Sequence, residues 1–171
     1  MDLDRFWELM EAAAVAGDVD CQAQAERLTA MLEQLAPEEI VSFERHFSQR
    51  MAEAYRWDLW GVAYQLNGGC SDDCFVYFRC WLLAQGRATW EAALRDPDSV
   101  VDHPVAKTSG VTLDGQAMLY VTINAYYTRA EAELPNHSHI LEPAEPLGEQ
   151  WDFEDADEVR RRLPRTWARM T

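Results

Sequence analysis

Hydrophobic positions recur at three- and four-residue steps over most of this chain, the spacing of one face of an α-helix. Phe6, Leu9, Met10 and Ala13 form a first stripe, which predicts a helix over 2–16, with Asp2 or Asp4 at its start and Gly17 as its stop. Cys21, Ala25, Leu28, Met31 or Leu32, and Leu35 predict a second helix over 20–35, opened by Asp18 or Asp20. Pro37-Glu38-Glu39 opens a third, with proline at a first-turn position where its missing N–H costs nothing. The stripe Ile40, Phe43, Phe47, Met51, Tyr55 carries on toward Leu66, some thirty residues in all. Helices average about a dozen residues, so a break or bend near Arg56 is expected.

The densest stretch is Trp57 to Gly86, which holds three of the seven tryptophans and three of the four cysteines. Trp57, Trp60, Ala63 and Tyr64 share one helical face, and Leu59, Val62 and Leu66 fill the next. Asn67-Gly68-Gly69 ends that helix, because glycine and asparagine tolerate the left-handed conformation that closes a helix. Ser71 opens the next helix as its N-cap, and Asp72 and Asp73 follow where the exposed N–H groups favour negative charge. Phe75, Phe78, Trp81 and Leu82 are its apolar face, and Gly86 its stop. The unit is two aromatic helices around a polar junction, Asn67 to Asp73.

Further on, a short helix over Ala88–Leu94 meets the turn Asp96-Pro97-Asp98-Ser99, with one more helical turn at 98–103. Residues 103–113 read as loop. Helix returns from Gln116 to Leu134, with Leu119, Ile123, Tyr126 or Tyr127, and Ala130 inward; β-branched residues keep a strand over 111–123 as the rival. Residues 131–158 hold ten acids and no lysine or arginine, with Pro135, Pro143 and Pro146, so 131–153 is expected to wrap the surface rather than form a domain. Trp151 and Phe153 should anchor it, since two large rings gain much from docking on a core. A last helix runs from Asp155 through Arg162, with Arg160, Arg161 and Arg162 expected near acids elsewhere. The prediction is an all-α fold: one domain, 1–171, of six to eight helices.

WDLWGVAYQLNGGCSDDCFVYFRCWLLAQGRATWEAALRDPDSV resembles the core of the family called domain of unknown function 4240. Met1 to Trp7 is similar to that family's start, and Trp151-Asp152-Phe153 with Arg162 to Trp167 to its end. The resemblance implies a compact, soluble bacterial domain of unassigned activity and brings no catalytic residues. Cys74 and Cys80 fall where small or variable residues are expected.

Charge narrows the classes. Thirty acids against fifteen bases give −15, which opposes direct nucleic-acid binding, whose affinity comes from neutralised phosphates. No apolar run approaches the ~20 residues of a membrane span, and no basic-then-apolar segment opens the sequence, so a cytoplasmic protein is expected. Cys70 and Cys74 are four apart, close enough to face each other, but the spacing is neither a zinc knuckle nor a redox CxxC. Reduced thiols used as small buried hydrophobes are the default, with no metal and no cofactor. His137-Ser138-His139 has ligand-like spacing but sits in the Pro-rich segment.

Two functions stay open. One is a non-enzymatic binding or regulatory module, immunity-like by analogy, that meets a basic protein through its acidic surface and the Asn67–Asp73 junction. The other is an enzyme or small-ligand binder with a pocket between the Trp57–Leu66 and Asp72–Gln85 helices. Trp57, Asp58, Trp60, Asn67, Asp72, Asp73, Tyr77 and Arg79 are the candidate ligand-binding residues, suited to a cationic or polar molecule. The bland reading of the same residues is helix capping and core.

Overall fold

A computed structural model of the chain describes residues 1–108, 110–136 and 140–170. Among them are nine α-helices and two 3-10 helices, with no strand beyond a single bridge between Arg56 and Leu147. The rival strand over 111–123 is therefore absent. In order, the helices are α1 Leu3–Ala13, α2 Gln22–Leu32, α3 Pro37–Glu53, α4 Trp57–Asn67, α5 Asp72–Ala84 and α6 Arg87–Arg95. The 3-10 helices Pro97–Asp102 and Gln116–Tyr120 follow, then α7 Val121–Ala130, α8 Ala156–Arg162 and α9 Pro164–Met170. This exceeds the six to eight expected. α8 is the predicted last helix, ending at Arg162 as expected, and Pro164 opens a further helix, α9, that was not expected.

Helix α5 lies at the centre. Phe75 and every residue from Phe78 to Ala84 are buried, so the helix packs on all sides, against α3, α4, α6 and the second 3-10 helix. Phe6, Phe43, Phe75, Phe78, Trp81 and Trp90 are the large fully buried rings of the single core around it.

The long third pattern breaks as expected. Ala54 ends the turn after α3, and Arg56 is extended, at φ −140° and ψ 141°. The exposed backbone at this break is paired by the acidic segment: Leu147 donates to the Tyr55 carbonyl at 2.8 Å, and Trp57 donates to the Leu147 carbonyl at 3.0 Å. A few residues later Trp151 is buried against α4. Its ring lies where a Cβ on Gly61 would be, 2.1 Å from Trp151 Cζ2, so only glycine admits it. Phe153 is half-buried and packs edge-on to Trp151 at 4.8 Å.

The C-terminal helices correct one expectation. Arg160 and Arg161 pair with Asp157 and Glu158 of their own helix, and Arg162 with Glu158 and Glu149. Three- and four-residue spacing brings Asp157 and Glu158 close without any tertiary contact, whereas Glu149 lies thirteen positions before Arg162 and outside the helix, as expected for that arginine. Arg165, not among the three, reaches farther along the chain and pairs with Asp96 and Asp102. Beside it, buried Asp98 accepts from the Arg165 and Thr166 backbone N–H groups and from the Thr166 hydroxyl, so the first turn of α9 is capped from another part of the chain.

A second correction concerns α7. Leu119, Ile123, Tyr126 or Tyr127, and Ala130 were expected inside; Leu119 and Tyr126 pack against the core, but Ile123 and Tyr127 are exposed, and Met118, Val121, Thr122 and Ala125 are buried. The entry through Gln116–Tyr120 is 3-10, three residues per turn rather than 3.6, and this rotates the face that meets the core.

Gly61→Ala should cost about 1–3 kcal/mol, the usual scale for overpacking a close contact. A urea melt would read this as a lower midpoint. An unchanged midpoint would mean that Trp151 is not held against α4.

Candidate functional site

The junction is built by two abutting helix ends. Gly68, at φ +69°, closes α4 in the left-handed region, and the Gly69 N–H reaches back to the Tyr64 carbonyl at 2.8 Å. The Ser71 hydroxyl accepts from the Cys74 N–H at 3.3 Å and starts α5. Asp72 and Asp73 stand exposed in the first turn. Asn67 acts as a surrogate backbone group: its Oδ1 accepts from the Leu113 N–H at 2.9 Å and its Nδ2 donates to the Leu113 carbonyl at 3.4 Å. This holds the 110–115 loop against the junction.

Cys70 and Cys74 are joined as a disulfide across Cα atoms 5.2 Å apart, so the reading of four reduced thiols is corrected there. The reason is geometric. The turn before α5 brings residues four apart within the span a disulfide needs. Cys21 and Cys80 are free and buried. Burial pushes the Cys21 thiol up to about 12 and raises Cys80 also, so neither is a ready nucleophile.

Above the disulfide the aromatic face is stacked. Trp60 lies 4.8 Å from Phe75 and 5.4 Å from Trp57, nearly parallel to each, and its indole N–H donates to the Cys70 carbonyl at 3.0 Å. The space between α4 and α5 is filled by rings. Clefts open on the flanks of the junction instead. One, of about 190 Å³, is lined by Ser71, Asp73, Tyr77, Thr112 and Asp114. The other, about 400 Å³, lies across Asn67 and Leu113 and is edged by Gly68, Thr108 and Arg169. The Tyr77 hydroxyl accepts from Gln116 at 3.2 Å, and burial followed by the Asp73 charge raises its pKa above the ordinary tyrosine value.

The eight candidate residues fall in three places. Trp60, Asn67, Asp72, Asp73 and Tyr77 gather at or beside the junction. Asp58 sits near the opposite end of the eleven-residue α4, about 14 Å from Asn67 along the helix, where it pairs with Arg56 at 2.5 Å and accepts from the Leu59 N–H. Trp57 is there too, linked back through its stack on Trp60 and through Phe153, which contacts both rings. Arg79 is in the core.

Arg79 is 1% exposed. Its guanidinium lies over the Tyr55 and Phe75 rings at 4.8 and 4.9 Å, and donates to the Met51 carbonyl at 2.7 Å and to Glu142 at 2.5 Å. Its Nε has no hydrogen-bond partner among the described residues. Nearby on α3, Glu44 is buried and its carboxylate accepts from the Thr122 hydroxyl of α7. Ser48 donates to the Glu44 carbonyl at 2.9 Å and accepts from the Ile140 N–H at 2.8 Å. Glu44, Ser48, Val76, Leu119, Ile140 and Glu142 line a cavity of about 190 Å³ between α3, α5 and the acidic segment.

Sequence reasoning missed Glu44 and Ser48. Their signal was there: 40, 43, 44, 47, 48 and 51 are one complete helical face, and two of its six positions are polar.

No group of three or more histidines, cysteines or acids able to hold a metal occurs among the described residues. His137 and His139 lie outside them. No helix among the described residues is long and apolar enough to cross a membrane.

A family model described as a protein of unknown function (DUF4240) matches residues 1–128. The chain belongs to this family. The match takes in the junction, Glu44, Arg79 and most of α7. The end of the chain, Trp151 to Trp167, which resembles the family's end in sequence, lies beyond the matched residues, as does Glu142. No curated protein and no solved structure matches the chain.

Titration of the unfolded protein with a thiol reagent should find two reactive thiols before reduction and four after. Four at the outset, in protein kept from reductants throughout, would show that Cys70 and Cys74 are not joined.

Proposed function

We propose that this protein is a non-enzymatic binding or regulatory module that meets a basic partner through its acidic surface at the Asn67–Asp73 junction. The observation that supports the reading is how the positive charge is used. Among the described residues, nine of the fifteen bases, including Arg50, Arg56, Arg79, Arg87, Arg162 and Arg165, are tied into ion pairs within the fold. The formal net charge is −15, and acids such as Asp72, Asp73, Glu131 and Glu133 are exposed. At the junction, exposed Asp72 and Asp73 stand beside a cleft that Asp73 and Asp114 line, wide enough for one lysine or arginine side chain of a partner. Such contacts act chiefly on the association rate and are screened by salt.

A second reading, a small-ligand binder, is favoured by Arg79 and Glu44. Buried charges and an orphaned guanidinium Nε beside a cavity are the features that mark a site when they are not purely structural.

Capture of basic proteins by the immobilised chain should give an association rate that falls steeply as salt rises from about 0.05 to 0.5 M. The Asp72→Asn, Asp73→Asn double variant should slow it. A salt-independent rate, or no partner at low salt, would count against the first reading. Native mass spectrometry of protein from its own host separates the two: the bare mass is expected, and a stoichiometric small-molecule adduct would favour the second.

A further inference from the structure

The outward face of α7 carries exposed apolar residues that the fold leaves uncovered. Tyr120, Ile123 and Tyr127 are 51%, 44% and 65% exposed. With Asn124 they lie at helical spacing on one ridge, while Arg129 points to the other side and donates to the Leu35 carbonyl. Two grooves adjoin this ridge and share Asn124. One, about 400 Å³, lies against α2 and is lined by Ala25, Glu26, Ala30, Glu33, Tyr120 and Asn124. The other, about 500 Å³, is lined by Ile123, Tyr127, Thr128, Glu133 and Leu134. Apolar floor and acidic rim therefore alternate across the face. Glu26, Glu33 and Glu133 edge the grooves, and exposed Glu131 closes the end of α7.

We propose that this face docks an amphipathic helix of a partner protein, apolar on one side and lysine- or arginine-rich along both edges. The proposal rests on the reading of a basic partner given above, but places the contact on another surface. Charge selects the occupant. A second copy of the chain, itself at −15, would set acids against acids. Nucleic acid and an anionic membrane surface would be repelled for the same reason. A basic helix instead pairs its edges with Glu26, Glu33, Glu131 and Glu133 while its apolar residues enter the two grooves. The ridge from Tyr120 to Tyr127 spans about two turns, the length over which such helices place their i, i+3/i+4 and i+7 anchors.

The probe is a labelled synthetic peptide of about eighteen residues, five helical turns, with leucines on one face and lysines on the rest. Anisotropy titrations should show binding to the full chain. Ile123→Asp with Tyr127→Asp should weaken it at least about tenfold, a loss of ~1.4 kcal/mol. Glu33→Lys with Glu133→Lys should do the same. Glu91→Lys, a charge reversal of the same kind on α6, should leave it unchanged. All substituted side chains are at or near the surface, so circular dichroism should confirm an intact fold.

The proposal is overturned if the peptide fails to bind, if the α7 variants bind it equally, or if Glu91→Lys weakens it as much. It is also overturned if the chain sediments as a dimer that the α7 variants dissociate. Salt-sensitive capture of a basic protein that is lost in the Asp72, Asp73 variant and kept in the α7 variants would leave the junction reading standing and remove this one.

Discussion

A guanidinium is held in the middle of the central helix, and the surrounding elements are placed to tolerate it. Leaving a charge of that kind without partners in the core would cost several kcal/mol. Arg79 is held by groups from three directions, although its Nε keeps no partner among the described residues: the Met51 carbonyl of α3, the Glu142 carboxylate of the acidic segment, and the faces of Tyr55 and Phe75. The same requirement that balances the charge therefore fixes where α3, α5 and the acidic segment meet. Arginine suits this place better than lysine, because its plane stacks on rings while its edge donates in two directions.

The acidic segment depends on few contacts, each backed by a different kind of physics. Glu142 answers the buried charge, Leu147 pairs the open backbone between α3 and α4, and Trp151 fills the space that Gly61 leaves. Together they hold a run that is rich in acids and proline and has little apolar surface of its own. The segment is thus part of the fold, and it also roofs the cavity beside Glu44.

The surface follows from how charge is spent. Many of the bases are drawn into ion pairs, several of them local pairs on α8 that contribute little to stability. Acids remain on the outside, at the start of α5 and along both flanks of α7. The two proposed contacts, the junction cleft and the α7 ridge, share this origin and differ in apolar content. The first offers a slot for one side chain, the second an elongated apolar face.

The sequence by itself determined the helices, because amphipathic spacing, proline starts and glycine stops are local signals. It also placed the break near Arg56, the caps around Asn67–Ser71 and the docking of Trp151. It grouped eight residues into one site because they are close along the chain. The tertiary structure separated them, since α4 carries Asp58 away from Asp72 and the core takes Arg79. Only the folded chain set Glu44 opposite Thr122, brought Glu142 to Arg79 across sixty-three positions, and capped α9 with Asp98. Only the folded chain, too, turned Ile123 and Tyr127 outward. A 3-10 entry changes a helix's register by a fraction of a turn, and apolar periodicity read along the chain does not carry that rotation. Pairings between distant residues depend on packing of whole elements, which no local pattern records.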